Sequence, residues 1–340
     1  MKYVIKFISG SIISMLLLSQ CSKREDNDRM LENFFNKKSV TILVTDSGLG
    51  GLSVTADLAI RLVHSGVFEN VQVIFFNSLF HNRSGYNSLE NEDEKVRIFN
   101  TALEAMDEKY HPDLLLIACN TLSVIYDKTP FSKIAQFPVV GIVETGVDLI
   151  VKQFEKFPNS TAIIFATKTT INSNSHKNLL IERGYSTDRI IEQACPYLAG
   201  SIERGYNSEK TVELINKYVA MALEKFEGIK KPIFASLNCT HYGYSRQQFL
   251  DAFAEAGDST VVILDPNPEM SNFLFRPKYL HRYPETRVTV RVVSKTKIAE
   301  KKRKSLGKLI ESISPETAKA LNNYVYDPEL FDAQFDSTKI

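Results

Sequence analysis

Two cysteines in this sequence stand where an apolar run gives way to small polar residues. Cys119 follows the run 114–118 and precedes Asn120-Thr121, and Cys239 follows 233–238 and precedes Thr240. A thiol between a strand and a helix N-terminus, with hydrogen-bond donors nearby, is expected to have a pKa lowered from about 8.5 into the neutral range. Two such thiols facing each other across a cleft could remove a proton from one face of a carbon acid and return one to the other face. The alternative for each cysteine alone is a small buried hydrophobic residue.

The spacing of the four cysteines excludes the common metal and redox motifs. Cys21, Cys119, Cys195 and Cys239 form no C-x-x-C pair of the kind found in zinc or disulfide-exchange sites. If Cys21 is lipidated or removed, three thiols remain, and an odd number argues against a complete disulfide framework. The cysteine spacing therefore predicts no zinc or redox site, and inversion by two thiols would need neither a metal nor a cofactor.

The elements that must position the two thiols follow an alternating pattern. Residues 40–44 form a β-branched run typical of a strand buried on both faces, and this run ends in the glycine-rich turn 46–52 before a helical pattern. The glycines match neither a dinucleotide-binding nor a Walker A spacing, so a tight turn is an equal alternative. Asp46, however, lies at the end of a central strand, where catalytic groups commonly lie. The segment 166–173, which follows another strand and is rich in hydroxyl groups, suits either a small zwitterion or a capped loop.

Strands and helices alternate as far as Asp265, which predicts an α/β fold with one or two mostly parallel sheets flanked by helices. Each half of this region carries one cysteine at a strand end, although no residue-by-residue repeat is visible. We expect a signal segment at 1–21, a tether at 22–38, a first α/β domain at 39–138 completed by about 245–325, and a second α/β domain at 139–244.

Composition and charge favour an ordinary globular protein. The 340 residues are 44% hydrophobic, and the formal net charge is +1. Such a charge provides no overall basic field for nucleic acid. The basic run 295–304 lies close to Glu300, Glu311 and Glu316, which favours a solvated helix face over a nucleic-acid site.

The N-terminus has the proportions of an export signal. Lys2 and Lys6 precede an apolar segment of about 12 residues, which is too short to span a bilayer, and the segment ends at Leu18-Ser19-Gln20-Cys21. This ending resembles the lipobox of bacterial lipoproteins, in which the cysteine becomes the lipidated first residue of the mature chain. We expect an exported, membrane-anchored protein; plain secretion, a retained anchor and a cytoplasmic protein with a frayed N-terminus are the alternatives.

Several short motifs are spread from Asp46 to Tyr242, over more than half of the chain. They are Asp46-Ser47-Gly48-Leu49-Gly50-Gly51-Leu52, Ala118-Cys119-Asn120-Thr121, Ala166-Thr167 with Thr170 and Ser173, Ala194-Cys195-Pro196, and Cys239-Thr240-His241-Tyr242. In this order they resemble the motifs of the glutamate racemase family, within the cofactor-independent aspartate/glutamate racemases. Together they are far more specific than any one of them.

The resemblance implies two pseudo-symmetric α/β domains with an acidic amino acid held in the cleft between them. Cys119 and Cys239 would be the acid/base thiols, assisted by Asp46, His241 and Glu203. The resemblance assigns binding of the substrate's carboxylate and ammonium groups to a further set, namely Ser47, Asn120, Thr121, Thr170 and Thr240, with Tyr86 as the family's tyrosine after the second strand. Cys195 would be structural. Family members supply D-glutamate for cell-wall peptidoglycan in the cytoplasm, and the resemblance leaves a homodimer open.

Three features depart from the family pattern. Asn77-Ser78 replaces Gly-Asp after the second strand, the second thiol is flanked by Asn238 and Gly243 rather than by Gly and Pro, and a signal segment and an extra C-terminal region are present. These departures keep two alternatives open. One is a racemase or isomerase of another small acid, such as aspartate, a hydantoin or maleate. The other is a non-catalytic lipoprotein that binds an acidic amino acid or a cell-wall fragment.

Overall fold

The computed structural model describes residues 27–225, 228 and 230–334. Within these residues ten strands form two separate parallel sheets, and helices pack on both faces of each sheet. The prediction of two parallel-sheet α/β domains is therefore confirmed.

The first sheet contains six of the described strands in the order β10-β9-β2-β1-β3-β4, and every pair is parallel. Its central strand β1 is buried along most of its length because apolar side chains point to both faces. The strands are β1 (Ser39–Asp46), β2 (Asn70–Asn77), β3 (Leu114–Ile117), β4 (Val139–Gly141), β9 (Arg287–Ser294) and β10 (Val325–Tyr326).

The second sheet has four described strands in the order β6-β5-β7-β8, again all parallel. They are β5 (Thr161–Ala166), β6 (Ile190–Ala194), β7 (Ile233–Asn238) and β8 (Val262–Leu264). This order repeats β2-β1-β3-β4 of the first sheet, so β3 corresponds to β7. Because Cys119 follows β3 at one residue's distance and Cys239 follows β7 directly, the two thiols occupy equivalent places in the two domains.

Helices cover both faces of each sheet, so each domain has one hydrophobic core on either side of its sheet. Asn91, Ser208 and Ser314 accept hydrogen bonds from backbone amides of the first turn and so fix where three of the helices begin. The helices are α1 (27–35), α2 (Leu52–Val63), α3 (Glu92–Tyr110), α4 (Asn120–Tyr126), α5 (Ile142–Lys156), α6 (Lys168–Asn172), α7 (Ser175–Glu182), α8 (Leu198–Arg204), α9 (Glu209–Leu223), α10 (Arg246–Glu255), α11 (Glu300–Glu311) and α12 (Pro315–Asn322).

The boundary between the domains differs from the predicted one. β4 at 139–141 belongs to the first sheet, and β8 at 262–264 pairs with β7 in the second. The crossover helix α10 therefore packs on the second core, where Phe249 and Phe253 are fully buried. The segment that returns to the first sheet begins after β8, adds β9 beside β2, and covers the sheet with α11 and α12.

The predicted tether at 22–38 is wrong for residues 27–35, which form α1. Phe34 and Phe35 are buried, and the ring of Phe34 packs edge-on against Phe68 at 5.0 Å. These two aromatic residues lie next to each other, so they give no helical period that a sequence pattern would reveal. Residues 1–26, which include the expected signal segment and Cys21, lie outside the described residues. None of the helices in the described part of the chain is both long and apolar enough to cross a membrane.

Candidate active site

The two thiols lie at the carboxyl edges of the two sheets. Cys119 precedes α4 and is 5% exposed, and Cys239 follows β7 and is 6% exposed. Both are free thiols, as is Cys195. Parallel strands present their carboxyl ends at one edge of a sheet, so side chains from several strands meet around each sulfur.

Asp46 connects the surroundings of the two thiols. Its Oδ1 accepts from the Ser47 amide at 2.7 Å, and its Oδ2 accepts from the Gly51 amide at 2.6 Å. The same Oδ2 accepts from the Thr240 hydroxyl at 2.9 Å, and Thr240 belongs to the other domain. The carboxylate is buried and fully hydrogen-bonded, so it joins the end of β1 to the residue after Cys239.

The glycines of the turn after β1 are required by close packing against the second domain. A Cβ atom on Gly50 would lie 2.3 Å from Thr240 Oγ1 and 2.8 Å from the His241 backbone nitrogen. A Cβ on Gly48 would lie 2.8 Å from Glu203 Oε1. The turn therefore uses glycine to bring its backbone against the residues around Cys239.

The same turn has little capacity left for a phosphate. The amides of Ser47 and Gly51 donate to Asp46, and the Leu49 amide donates to Glu203 Oε1 at 3.1 Å. In the described ranges, moreover, no three His, Cys, Asp or Glu side chains are grouped so that they could hold a metal ion. The amides of this turn serve internal carboxylates.

Cys119 lies beside a hydroxyl and a negative charge. Its Sγ is 3.1 Å from Ser47 Oγ. Burial raises the pKa of the Cys119 thiol well above its ordinary value, the charge of Asp46 raises this pKa further, and the contact with Ser47 only partly offsets both. The expectation of a lowered pKa is therefore wrong for Cys119, because desolvation outweighs the short helix that begins after it.

Cys239 lies beside a histidine that is held by a carboxylate. His241 Nδ1 is 3.8 Å from Cys239 Sγ, and His241 Nε2 is 2.8 Å from Glu203 Oε1. Burial alone would lower the pKa of His241, but its contacts with Cys239 and Glu203 raise that pKa well above the ordinary value. Burial would likewise raise the pKa of Glu203, yet His241 and Lys302 lower it below the usual range. The contacts around His241 therefore favour its imidazolium form, paired with the Glu203 carboxylate.

Hydroxyl groups from both domains form a row between the sheets. Thr121 Oγ1 on α4 lies 2.9 Å from Thr167 Oγ1, which in turn lies 3.0 Å from Thr170 Oγ1. Asn87 Nδ2 donates to Thr121 Oγ1 at 3.3 Å. All three threonines are buried, so Thr121 and Thr170, both predicted to bind substrate, are brought together through Thr167.

Two predicted substrate-binding residues near Cys119 carry buried polar atoms without a hydrogen-bond partner among the described residues. These atoms are Oδ1 and Nδ2 of Asn120 and the hydroxyl of Tyr86. Burial raises the pKa of Tyr86, and the nearby Cys119 raises it further, which places this ring close to the thiol. Unpaired buried polar groups are uncommon in folded proteins, and a role in catalysis or binding is one explanation for them.

Cys195 follows β6 directly and packs in the core of the second domain. Its thiol is 3.5 Å from the Gln193 carbonyl oxygen, its own carbonyl oxygen accepts from the Tyr242 hydroxyl at 3.3 Å, and burial raises its pKa. These contacts agree with a structural role, in which Cys195 supports Tyr242 behind Cys239.

The structure adds residues to this site that the sequence did not indicate. Lys302 on α11 donates to Glu203 Oε2 at 2.6 Å, and Lys95 on α3 donates to Thr169 Oγ1 on α6 at 2.9 Å. Lys302 is part of the basic run that the sequence assigned to a solvated helix face. Both contacts join residues more than seventy positions apart, so no local pattern could have revealed them.

Comparisons with known proteins agree with this geometry, although no protein-family model matches the sequence. Glutamate racemase of Campylobacter jejuni is 32% identical to this chain over 145 residues. That match covers 42% of this chain and 52% of the relative. The chain thus spans about half the length of the curated relatives it matches.

Solved structures match over a larger share of the chain. Glutamate racemase of Francisella tularensis in complex with D-glutamate has a TM-score of 0.62 at 22% identity and covers 81% of this chain and 95% of its own. Glutamate racemase of Escherichia coli in complex with L-glutamate and the activator UDP-MurNAc-Ala has a TM-score of 0.58 at 19% identity, with 81% and 96% covered. The chain therefore has the fold of these proteins.

Proposed function

We propose that this protein is a cofactor-independent amino-acid racemase that acts on glutamate, with Cys119 and Cys239 as its two acid/base groups. One observation carries the proposal: two free, buried thiols follow the corresponding strands β3 and β7 of two sheets that share one strand order. A pair of thiols related in this way can address opposite faces of one carbon atom. Proton removal by one and proton return by the other inverts the configuration.

The charges around the thiols support the assignment of proton return to one thiol and proton removal to the other. Asp46 places negative charge near Cys119, and burial keeps that thiol protonated. The imidazolium of His241 lies against Cys239 and would stabilise a thiolate there. A two-base racemisation requires one group that begins as an acid and another that begins as a base.

The substrate's own charge completes the electrostatics. A bound amino acid carries an ammonium group on the carbon that loses its proton. Placed near Asp46, this positive charge would favour the thiolate form of Cys119 and so offset part of the burial that raises its pKa. With the substrate bound, Cys119 can therefore also act as the base that removes the proton in the reverse reaction.

Residues near Cys119 have the polar atoms needed to hold such a substrate. We propose that the unpartnered amide of Asn120 and hydroxyl of Tyr86 contact the amino acid, together with Ser47. The Thr121 hydroxyl, on the same helix as Asn120, and the Thr170 hydroxyl of the second domain would contact the substrate as well. Thr240 contributes through its backbone, because its hydroxyl is held by Asp46.

Glutamate is the substrate that the comparisons favour. The curated relative and the two solved structures described above are glutamate racemases, and the structures hold D-glutamate and L-glutamate respectively. An acidic side chain also suits the positive charge of Lys95 beside the hydroxyl row. We therefore propose an acidic amino acid, and glutamate in particular.

The test is exchange at Cα in heavy water. L-glutamate and D-glutamate are each incubated with the protein in D₂O, and the enantiomer and the deuterium content of the product are measured. The proposal predicts that each enantiomer yields the other with deuterium at Cα. Binding detected by calorimetry without any exchange would contradict it, and exchange with aspartate alone would reassign the substrate.

We further propose that the protein is exported and anchored to a bacterial membrane through a lipid on Cys21. The support is the positive start, the short apolar segment and the lipobox-like ending of residues 1–21. Metabolic labelling with a fatty acid, followed by membrane fractionation, tests this. Wild-type protein should be labelled and sediment with membranes, and Cys21→Ala should lose the label. An unlabelled wild-type protein in the cytosolic fraction would contradict the proposal.

A further inference from the structure

A lysine from the C-terminal segment reaches into the charged group beside Cys239. Lys302 lies on α11, which packs on the first sheet, and its Nζ donates to Oε2 of Glu203 on α8 of the second domain at 2.6 Å. The side chain of Glu203 is 9% exposed and that of Lys302 is 31% exposed. The ion pair therefore crosses from one domain to the other at a largely buried carboxylate.

The other oxygen of Glu203 leads directly to a thiol. Oε1 accepts from His241 Nε2 at 2.8 Å and from the Leu49 amide at 3.1 Å, and His241 Nδ1 lies 3.8 Å from Cys239 Sγ. These contacts form one continuous series of side chains, which runs from Lys302 through Glu203 and His241 to Cys239. Because the first domain contributes two of the donors to this carboxylate, its orientation depends on both domains.

We propose that Lys302 is a positioning residue for the His241–Cys239 pair, and that it acts by fixing and partly neutralising the Glu203 carboxylate. The inference rests on the proposed racemase activity for its consequence in turnover. A carboxylate that bridges a lysine and a histidine is held by charge-assisted hydrogen bonds on both oxygens, so it cannot rotate away from the imidazole. Lys302 thereby keeps Nδ1 of His241 directed at the sulfur.

The titratable groups that face Glu203 come from several elements. His241 lies on the loop after β7, Tyr244 on the short 3-10 helix Tyr242–Ser245 that follows, and Lys302 on α11. The turn after β1 faces the carboxylate with the amide of Leu49. Lys302 and His241 are thus the cations in contact with this carboxylate among the residues that the structure describes.

Removing the charge of Lys302 has a defined sign. A positive neighbour disfavours the protonated, cationic imidazolium and the protonated, neutral carboxyl alike, so it lowers the pKa of both groups. Lys302→Met should therefore raise the pKa of His241 and of Glu203. A simple loss of folded protein would lower activity without moving either pKa.

The experiment compares three variants at positions on the same helix. Lys302→Met removes the charge and keeps the aliphatic stem, Lys302→Arg keeps the charge, and Lys301→Met removes an exposed charge one residue away. The His241 resonance, assigned by its loss in His241→Gln, is titrated by NMR in each protein. The pH dependence of kcat/KM for glutamate is measured in parallel.

We expect the His241 midpoint and the alkaline limb of the rate profile to move to higher pH in Lys302→Met, and kcat/KM at the optimum to fall about tenfold, the size expected for one charge-assisted hydrogen bond. Lys302→Arg and Lys301→Met should match wild type. An unchanged His241 midpoint in Lys302→Met would overturn the inference. The NMR titration needs no turnover, so a protein without racemase activity would defeat the proposed function and leave the positioning role to be decided by the midpoint alone.

Discussion

Thr240 donates its hydroxyl to Asp46 Oδ2 at 2.9 Å, and this bond joins the residue after one thiol to the strand end beside the other. Asp46 also accepts a hydrogen bond from the backbone amide of Ser47, and the Ser47 hydroxyl contacts the Cys119 sulfur. The two cysteines are therefore held by one hydrogen-bonded unit that spans both domains. A displacement of either strand end would therefore change the positions of both sulfur atoms.

Replacing Thr240 with valine tests this connection. The variant keeps the shape of the side chain but leaves Asp46 with one donor fewer in a buried position, which should lower the free energy of unfolding by about 1–3 kcal/mol. Turnover should fall as well. Urea denaturation and racemisation assays on Thr240→Val are compared with Thr240→Ser, which retains a hydroxyl. A valine variant as stable and active as wild type would show that the bond is dispensable.

The glycine turn gives a steric prediction. In Gly50→Ala the new Cβ would lie within 3 Å of Thr240 Oγ1 and of the His241 backbone, so the turn must move away from the second domain. We expect a loss of about 1–3 kcal/mol in stability, as for other overpacked sites, and a fall in turnover of at least tenfold.

Gly307→Ala is the matched control for this variant, because no atom lies within 4 Å of the added Cβ in α11. That change should leave turnover unaltered and stabilise the helix by about 0.5–1 kcal/mol. Equal behaviour of the two alanine variants would refute the close-packing explanation for the turn.

The N-terminal helix is part of the fold, and Phe34→Ala measures its contribution. Phe34 is fully buried beside Phe68, so the substitution should cost about 3–5 kcal/mol in the free energy of unfolding. Ile134→Ala, at a side chain that is 62% exposed, should change stability by less than about 0.5 kcal/mol. If Phe34→Ala is as mild as Ile134→Ala in denaturant titrations, α1 contributes no stability.

His176 predicts how stability depends on pH. It lies on α7 with 1% of its surface exposed, and burial lowers its pKa to about 4. In the unfolded chain the histidine has a pKa of about 6.5, so between about pH 6.5 and pH 4 the unfolded chain binds a proton that the folded protein does not bind. The free energy of unfolding should therefore fall by up to about 3 kcal/mol as the pH drops through this range.

The comparison that isolates this effect is His176→Gln against His64→Gln, which removes an exposed histidine. Denaturation at pH 7 and pH 4.5 should show a smaller acid-induced loss in His176→Gln than in wild type. His64→Gln should retain the full loss. An identical loss in all three proteins would assign acid sensitivity to other groups.

The sequence predicted the strands and thiols because their signals are local. An apolar run that stops at Asp46, at Cys119 or at Cys239 marks a buried strand and its carboxyl end within a few residues. The glycine-rich turn likewise indicates that the chain changes direction after β1. Only the structure shows that Gly50 is needed for close contact with Thr240 and His241.

What the sequence did not predict depends on pairing between distant segments. Lys302 meets Glu203 across 99 positions, and nothing in the basic run distinguishes it from its neighbours. The assignment of β8 to the second sheet depends on its pairing with β7, which a short apolar run does not encode. The pKa of Cys119 was misjudged for a related reason, because burial and the charge of Asp46 become known only in three dimensions.

The two-thiol account is tested most directly by the single variants Cys119→Ser and Cys239→Ser, with Cys195→Ser as a control that keeps both active-site thiols. Racemisation of L-glutamate and D-glutamate is followed in D₂O, where product enantiomer and Cα deuterium are both measured. We predict that Cys119→Ser and Cys239→Ser each abolish racemisation, because inversion requires an acid and a base on opposite faces. Turnover at the wild-type rate in either variant would contradict the mechanism.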